Sequence, residues 1–534
     1  MQDNNVGEYD YVIVGSGAAG SVLANRLSAD LDTTVLVLEA GGSAIPEAVD
    51  VPPLWFTLLG SPIDWAYQSL PQPGLDGRRT AEPRGKVPGG SSDLYLMMHI
   101  RGHPSDFDAW AYQGAAGWSF ADVLPYFRRA EGQEDAGEGI GADGPQLITN
   151  AARHDPNPTS QRFLDACAEL GYPRVDDFNG PSMFGAGWHH LDIADGRRQG
   201  VLASYLEPAL ARPNITLRTS ALATRLLIAG GRCTGVEYLQ QPESPEPAGA
   251  RRVGVPGPAT GLRQVRARRE VIVCAGAIES PKLLMLSGIG PAEHLRDLGI
   301  DVTAALPGVG ANFHNHVLTG VMTELTEPVA AGRLNLSEVA LFTRSAPGLV
   351  APDLQIAFVH VPFDIIVGRQ HPNTVSILPG VVRPASRGWV RLADADPRTA
   401  PLVDPNYLAD RWDVERLAQG VRIAREIFGA DAFSAVTKQE LTPGPDVRSG
   451  PQLERFVRAT ADTYHHQAGS CRMGQDDRSV VDPQLRVHGV DGLRVADASV
   501  MPAVPSGNCH AAVVMIAERA ADLLRQPSTK EVPQ

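Results

Sequence analysis

Cysteine is scarce in this sequence, and its five copies form no recognisable framework. They lie far apart, their number is odd, and no two of them make a C-x-x-C pair. A disulfide scaffold or a zinc site is therefore not expected. The pattern is typical of a protein in a reducing compartment, and we expect a cytoplasmic location. The five positions are Cys167, Cys233, Cys274, Cys471 and Cys509.

Long apolar runs and basic clusters are also missing. The segment 511–517, AAVVMIA, is among the longest apolar runs, and it is far too short to span a bilayer. The formal net charge is −14, and no basic stripe with interleaved aromatic residues occurs. Nucleic acid and anionic membrane surfaces are therefore not expected as partners. The acidic, polar start MQDNNVGEYD is typical of neither a secretory signal nor a basic transit peptide.

What is present is the composition of a globular protein, with 43% hydrophobic and 20% charged residues. A chain of 534 residues is too long for one simple core, so two domains are expected.

The clearest motif lies near the start, in YDYVIVGSGAAGSVLANRL. Residues 11–14 are aromatic or β-branched and predict a buried parallel strand. Gly15, Gly17 and Gly20 follow at the spacing of a dinucleotide-binding turn. These glycines allow a tight turn, the close approach of a diphosphate and the packing of helix on strand. The segment 18–30 has helical periodicity, and its N-terminus would offer N–H groups and partial positive charge to the diphosphate.

A second strand is predicted over 34–38, and Glu39 follows it, nineteen residues after Gly20. This is the distance at which a ribose-binding carboxylate is expected. Strand, glycine loop, helix and acid together favour dinucleotide binding over an ordinary strand–turn–helix unit. They do not distinguish a nicotinamide from a flavin nucleotide.

Later segments predict that the nucleotide-binding domain is assembled from separated pieces. Residues 269–300 contain a buried strand, a small-residue turn and a helix, and residues 491–526 return to strand, loop and helix. Between about 320 and 470, alternating runs such as DLQIAFVHV predict a more antiparallel sheet with helices on one side. A substrate domain inserted between the nucleotide-binding pieces is therefore expected.

These motifs resemble the glucose–methanol–choline (GMC) oxidoreductase family, which binds FAD. The matching stretches run in the family's order over nearly the whole chain, and they include DYVIVGSGAAGSVLANRLS, PRGKVPGGSS, CAGAIESPKLLMLSGIGPAEHL, LPGVGANFHNH, SCRMG and VVDPQLRVHGVDGLRVADASVMPAVPSGN. The resemblance implies an α/β fold class, with a Rossmann-like FAD-binding domain assembled from discontinuous segments. It also implies an α+β substrate domain with a six-stranded antiparallel sheet. We expect the FAD-binding domain in 1–155, 201–318 and 475–534, and the substrate domain in 156–200 and 319–474.

The resemblance decides the nucleotide, because the family has no nicotinamide module. It implies that the glycine loop and Glu39 hold the ADP half, that Asp497 and Ala498 approach the diphosphate, and that residues 90–92 lie near the diphosphate and the ring. Ala223 matches the position where the family's backbone meets the adenine. The expected cofactor-binding residues are Gly15, Ser16, Gly17, Ala18, Gly20, Glu39, Ala40, Trp65, Gly90, Ser91, Ser92, Ala223, Asp497, Ala498 and His510.

Members of the family remove the hydroxyl proton of an alcohol while the carbon's hydride passes to flavin N5. Such chemistry needs a base with a pKa near neutrality, and histidine suits it best. In TYHHQAGSCRMG, the family's motif places this base at His466, and His465 is expected to be structural. The family's second active-site position is His or Asn soon after S-G-N, and it is matched by His510.

A physical argument also supports His510. Ser506 and Asn508 are good N-cap residues, and a helix is predicted from Ala511 onward. The positive end of that helix disfavours an imidazolium, so a neutral His510 would accept or share the substrate proton.

One signature departs from the family's pattern. The stretch KVPGGSSDLYLMMHIRG has Pro88 in place of an aliphatic residue, and Tyr95 and Leu96 in place of Asn and a small residue. We expect Tyr95, Leu96 and Met97 to reshape the pocket wall near the flavin. Leu94 occupies the position of a flavin-linking histidine in some members, so noncovalent FAD is expected.

The expected function is FAD-dependent oxidation of an alcohol to an aldehyde or ketone. Hydroxynitrile lyases and light-driven decarboxylases share the fold, but the two histidines favour alcohol oxidation. The apolar segments YLMMHIRG and FVHVPFDIIVG (358–368) favour a small-molecule alcohol with an apolar or aromatic body, and oxygen or another acceptor would reoxidise the flavin. The sequence indicates neither the acceptor nor the oligomeric state. The expected substrate contacts are Tyr95, Leu96, Met97, Phe358 and His466.

Overall fold

The computed structural model describes residues 5–243, 249–257, 260–367, 369 and 371–525. The outer ends of the predicted segments 1–155 and 475–534, two short stretches of 201–318, and residues 368 and 370 lie outside this range. The described part of the chain forms two large sheets with helices packed on them. Its helices are α1 (Ala18–Leu27), α2 (Pro104–Tyr112), α3 (Phe120–Ala130), α4 (Pro158–Glu169), α5 (Glu207–Leu210), α6 (Gly276–Leu286), α7 (Ala292–Asp297), α8 (Arg411–Gly429), α9 (Asp431–Ser434), α10 (Gly450–Thr460) and α11 (Cys509–Arg525).

The first sheet has a parallel centre. The strand Asn5–Val14 lies between Val35–Leu38 and Gly261–Val273 and is parallel to both. Residues 11–14 of this strand are buried, as their apolar run predicts. In spatial order the strands are Ala221–Ala229, Arg232–Gln240, Gly261–Val273, Asn5–Val14, Val35–Leu38, Ile215–Thr219 and Val255–Pro256, and Leu493–Val495 also pairs with Gly261–Val273.

The second sheet contains six neighbouring antiparallel strands, as the resemblance implies. A seventh strand, Arg174–Val175, adds a parallel edge next to Gly185–Trp188. The short strand Val317–Leu318 pairs with Thr374–Val381 and with Asp462–Thr463. In spatial order the main strands are Thr437–Thr442, Val321–Leu325, Thr374–Val381, Leu354–Val359, Val339–Thr343, Gly185–Trp188 and Arg174–Val175. The α/β fold class is therefore confirmed.

Shorter ladders complete the described strands. They join Glu131–Gln133, Gln146–Asn150 and His190–Leu191; Ile193–Ala194 and Arg197–Arg198; Ala44–Ile45 and Arg251–Arg252; Ile289–Gly290 and Ala304–Ala305; Trp389–Arg391 and Leu402–Asp404; and Tyr67–Gln68 and Ala81–Glu82. Over the described ranges, no helix has both the length and the apolar character that crossing a bilayer requires.

Strands of the first sheet come from three separate stretches of the chain, before residue 40, between 215 and 273, and after 490. Strands of the second sheet come from 174–188 and from 317–463. The exact domain boundaries given above stay a prediction.

The C-terminal helix α11 packs on α1, directly behind the glycine loop. Arg26 of α1 donates two hydrogen bonds to the buried carboxylate of Glu518 on α11, with Nε–Oε2 at 2.9 Å and Nη2–Oε1 at 2.7 Å. The hydroxyl of Tyr205 donates to the same carboxylate at 2.9 Å. Because a buried charge is costly unless it is fully paired, these contacts fix α11 in place. They bring the start of α11, and the loop before it, to the first sheet.

Candidate active site

Two glycine-rich loops meet at the N-terminus of α1. The backbone N–H of Gly89 donates to the carbonyl of Ser16 at 3.0 Å. A Cβ on Gly90 would lie 2.7 Å from the Cα of Gly17, so only glycine allows this approach. No side chain caps α1, which leaves the first N–H groups of Ala18 and its neighbours to a ligand. The arrangement suits a diphosphate at the helix N-terminus.

Glu39 follows the strand beside this loop and is buried. Its Oε2 accepts hydrogen bonds from the N–H and hydroxyl of Ser16 at 3.0 and 2.7 Å, and its Oε1 accepts from the N–H of Gly41 at 2.8 Å. Burial raises the pKa of this carboxyl above its usual value. Glu39 and the adjoining Ala40 therefore lie beside the glycine loop, where the ADP half of a dinucleotide is expected.

A second buried carboxylate, Asp497, lies two residues after the strand Leu493–Val495 of the first sheet. Its Oδ2 accepts from the N–H of Gly276 and the hydroxyl of Ser280 at 2.8 and 2.5 Å. Ala498 begins a short 3₁₀ turn, and its carbonyl accepts the N–H of Gly469 at 3.1 Å. This contact links the predicted diphosphate region to the loop that follows His466.

The other predicted cofactor residues are placed as follows. Ser91 Oγ accepts the N–H of Gly85 at 3.0 Å, and Ser92 Oγ accepts the N–H of Val201 at 2.8 Å. Trp65 stacks on Tyr67, with ring centroids 5.7 Å apart, and Ala223 lies on the strand Ala221–Ala229.

His466 lies three residues after the short strand Asp462–Thr463 and is held on several sides. Its backbone N–H donates to Asn315 Oδ1 at 2.8 Å, and its ring stacks on Tyr464, with centroids 4.9 Å apart. Its Nδ1 lies 2.9 Å from Nδ1 of His316, and its Nε2 lies 3.2 Å from Nδ2 of Asn508.

These contacts favour one tautomer of His466. The carbonyl of Asn508 accepts from Gln355 Nε2 at 3.4 Å, so its amide nitrogen faces His466. An amide nitrogen only donates, so His466 Nε2 carries a lone pair and Nδ1 carries the proton. Nδ1–H then donates to His316, whose proton is on its Nε2.

The histidines of this cluster are neutral at pH 7. Burial first, and then the neighbouring imidazole of His316, hold the pKa of His466 well below its usual value. Burial also lowers the pKa of His316 to about 3 and that of His465 to about 3. His466 is therefore a neutral imidazole whose Nε2 lone pair faces the amide of Asn508.

The residue that the structure places against His466 is Asn508, and not His510. Asn508 immediately precedes α11, as its N-cap type predicts, whereas His510 is the second residue of the helix. Nδ1 of His510 lies 3.3 Å from Asp192 Oδ2 and 3.3 Å from Gln146 Nε2. The prediction of a catalytic His466–His510 pair is thus not matched by a contact in the described chain. The sequence singled out Asn508 only as an N-cap type, and the position expected for the second active-site residue lies after the S-G-N motif.

His510 belongs instead to a buried polar cluster behind Tyr95. The rings of Tyr95 and His510 lie 4.5 Å apart, and the Tyr95 hydroxyl donates to Asp192. Asp192 Oδ1 also contacts His99 Nδ1 at 3.0 Å, and His99 Nε2 contacts Glu131 at 3.2 Å. Although burial opposes it, these two carboxylates raise the pKa of His99 to about 9. The Tyr95 hydroxyl is therefore engaged by Asp192 within this cluster.

Two predicted substrate contacts lie in hydrophobic cores. Phe358 is fully buried between Phe163 and Phe433, with centroids 5.4 and 5.8 Å away. Side chains alternate along a strand, so Phe358 lies on the face opposite Gln355, which contacts Asn508. Met97 is fully buried in another apolar cluster. The apolar pattern of the strand could not show which of its faces meets the site.

Replacing Phe358 with alanine tests this placement. Loss of a fully buried ring is expected to lower the free energy of unfolding by about 3–5 kcal/mol. The KM of the folded enzyme should stay unchanged, because the ring packs between Phe163 and Phe433 and not beside Asn508. Urea unfolding and steady-state kinetics at a temperature where the variant is folded give both values. Leu96→Ala is the matched comparison, since it should raise KM with a small stability loss; a raised KM in Phe358→Ala would restore Phe358 to the site.

An apolar wall reaches the site through Met98. Its sulfur lies 3.7 Å from Asn508 Nδ2, and the side chain belongs to a cluster with Trp55 and Leu191. Tyr95 and Leu96 are half-buried against the same cluster. Met97 is buried inside this cluster, and Tyr95 and Leu96 pack on it. That these three residues reshape the pocket near the flavin stays a prediction.

Two models of one protein family match this chain. The model of the N-terminal part of the GMC oxidoreductases matches residues 9–318, and that of the C-terminal part matches residues 384–517. The chain belongs to the GMC oxidoreductase family. It is 38% identical to the mitochondrial choline dehydrogenase of Homo sapiens, over 98% of this chain and 92% of that protein. It is 40% identical to an oxygen-dependent choline dehydrogenase of Rhizobium etli, over 97% and 96% of the two chains.

Solved structures agree with this GMC membership. A pyridoxine 4-oxidase from Mesorbium loti superposes with a TM-score of 0.88 at 34% identity, covering 96% of this chain and 98% of that one. A fungal aryl-alcohol oxidase superposes with a TM-score of 0.80 at 26% identity, covering 97% and 98%. This GMC protein is an FAD-dependent oxidoreductase that acts on the CH–OH group of an alcohol, and the lyase and decarboxylase alternatives are not favoured.

The site's own residues fit FAD. The paired glycines 17 and 90, the uncapped start of α1 and the carboxylate of Glu39 suit the ADP half. His510 Nε2 is buried without a hydrogen-bond partner beside Tyr95, which leaves a polar atom for a ligand. The side chain of Leu94 has no nucleophile, in keeping with noncovalent binding. No group of three or more potential metal ligands occurs within the described residues.

Proposed function

We propose that this GMC enzyme oxidises a primary alcohol with an apolar or aromatic body to the aldehyde, with His466 as the base. The observation that carries the proposal is the lone pair on Nε2 of a buried, neutral His466, beside the amide of Asn508. An alcohol hydroxyl that enters between these two groups would give its proton to Nε2. The amide N–H of Asn508 would donate to the oxygen as negative charge develops on it.

His316 would support the base from behind. Because Nδ1–H of His466 donates to His316, the imidazole is held in one tautomer and orientation. When Nε2 takes the substrate proton, His316 accepts from the resulting imidazolium. Bound FAD would supply the acceptor for the hydride that leaves the alcohol carbon.

The substrate class follows from the groups around the base. Met98 connects Asn508 to an apolar wall with Trp55 and Leu96, which suits an apolar or aromatic body. Among the residues that the structure describes, no carboxylate contacts His466 or Asn508. A choline-like cation would have no charge partner at these two groups, although the relatives named choline dehydrogenase make choline the second candidate.

We further propose a reducing, cytoplasmic location and reoxidation by oxygen or another acceptor. All five cysteines are buried and unpaired, which supports a reducing compartment. The human relative is named a mitochondrial enzyme. Peroxide release in air would identify oxygen as the acceptor, and its absence would indicate another one.

A panel of alcohols tests the substrate class. Benzyl alcohol, pyridoxine, medium-chain aliphatic alcohols and choline are added anaerobically, and bleaching of the flavin band at about 450 nm is followed. We expect an aromatic or aliphatic alcohol to have a kcat/KM at least about tenfold above that of choline, which corresponds to one apolar contact. Choline as the best substrate would overturn the proposed class, and no bleaching by any alcohol would overturn alcohol oxidation by His466.

A further inference from the structure

The residue before the proposed base has a strained backbone. His465 has a φ of +66°, in the left-handed region that non-glycine residues rarely adopt. Such a conformation costs about 1–3 kcal/mol and persists only where the surroundings hold it. The groups that hold the segment 463–467 therefore also set the position of His466.

Most of the side-chain contacts to this segment lead to one carboxylate, that of Glu82. Glu82 is fully buried, on the short strand Ala81–Glu82. Its Oε2 accepts from the amide of Gln467, and from Thr463 Oγ1 and Asn315 Nδ2 at 3.4 and 3.5 Å. Thr463 Oγ1 in turn accepts the N–H of His465 at 3.0 Å, and Asn315 Oδ1 accepts the N–H of His466 at 2.8 Å.

The second oxygen of Glu82 is held from outside this segment. Its Oε1 accepts from the hydroxyls of Thr80 and Tyr407, both at 2.9 Å. Two residues further along the chain, Arg84 Nη2 donates to the carbonyl of His465 at 2.7 Å. Glu82 therefore binds side chains of the strained segment, and Arg84 binds its backbone at His465.

We propose that Glu82 is a positioning residue that sets the orientation of His466 through Asn315, Thr463 and Gln467. This inference rests on the proposed role of His466 as the base. Glu82 does not touch the reacting atoms; its carboxylate orders three side chains that flank them. A displacement of about 1 Å at the base is enough to cost about 10²-fold in rate.

The ionisation of Glu82 makes the role measurable. Burial raises the pKa of Glu82 to about 7. The nearby charge of Asp462 acts in the same direction, and the hydrogen bonds from Gln467 and Thr80 act against it. The other titratable groups near it are the guanidinium of Arg84 and the phenol of Tyr407. All five polar partners are positioned to donate to the carboxylate, so protonation removes an acceptor and loosens the segment. Activity should therefore fall as the pH drops through about 7.

The test compares Glu82→Gln with the wild-type holoenzyme, using the best alcohol of the panel. At pH 8 the variant should have a kcat about tenfold lower, with KM changed less than twofold and a normal flavin spectrum. Its kcat should lack the inflection near pH 7, so the two profiles should converge toward pH 6. Glu82→Asp, which keeps the charge but shortens the reach, should lower kcat and keep an inflection.

Glu338→Gln is the matched control. Glu338 is also fully buried, with its pKa raised by burial, but its Oε2 accepts from Asn157 and Ser160, each at 2.8 Å, and not from the His466 segment. Its kcat and pH profile should equal those of the wild type. A Glu82→Gln enzyme with wild-type kcat and inflection, even if less stable, would overturn the positioning role. His466→Ala measured in the same series separates the two ideas, because its retention of activity would overturn the base instead.

Discussion

Replacing His466 with alanine is expected to lower the rate of flavin reduction by alcohol about 10³-fold, while the cofactor stays bound. The variant loses the imidazole whose Nε2 lone pair faces Asn508, so the proposed acceptor of the hydroxyl proton is gone. The ring of His466 contacts His316, Asn508 and Tyr464 and not the glycine loop, so FAD retention should be unaffected. Anaerobic stopped-flow bleaching gives the rate, and the absorption of the purified protein gives the cofactor content.

Two further variants show which residue assists the base. Asn508→Ala removes the amide that faces Nε2 and should cost about 10²-fold. His510→Ala changes the cluster behind Tyr95 and should cost less than Asn508→Ala. The reverse order would restore the His466–His510 pair that the sequence predicted, and a fully active His466→Ala would exclude His466 as the base.

Gly17→Ala is expected to give a folded protein that has lost FAD. Gly17 has a φ of −69°, and the nearest atom to an added Cβ is the Cα of Gly90 at 3.8 Å, so the backbone tolerates alanine. The added methyl group would instead occupy the space that the second glycine of the motif leaves for the diphosphate. The FAD content should fall below about a tenth of the wild-type value because close backbone approach is lost.

Flavin absorbance per protein and thermal unfolding of both apoproteins measure the two effects. Gly429→Ala is the control: Gly429 lies at the end of α8, and an added Cβ there meets no atom within 4 Å. It should keep both FAD and stability. A yellow, fully loaded Gly17→Ala protein would show that the diphosphate does not pass this glycine.

Local patterns predicted the nucleotide-binding half of the fold well. The strand before Gly15, the helix after it and the acid at position 39 are determined by neighbours in sequence: apolar runs, glycine spacing and helix periodicity. The C-terminal helix, which the sequence predicts from Ala511 onward and which begins at Cys509, and the N-cap type of Asn508 are local in the same sense. His466 was found through a motif, and the structure shows the contacts that make it a neutral base.

What failed were predictions about which side chains face one another. Phe358 and Gln355 lie on one strand, but only the packing of α4 and α9 residues on the sheet decides that Phe358 faces the core. His510 and Asn508 are two positions apart at the start of one helix, and a helix turns about 100° per residue, so their side chains point in quite different directions. His316 and Glu82 had no sequence signal for a role, because their partners are distant along the chain.

The sequence by itself determined the family and the cofactor, and it singled out the histidine that we propose as the base, because short motifs encode local backbone geometry and residue type. The tertiary structure decided that an asparagine, a second imidazole and a buried carboxylate surround that histidine. The reason is physical: lone-pair direction, burial and hydrogen-bond acceptance depend on groups brought together by the docking of α11 on α1 and by the contacts that hold residues 463–467. Those contacts come from packing over the whole chain, and no local pattern specifies them.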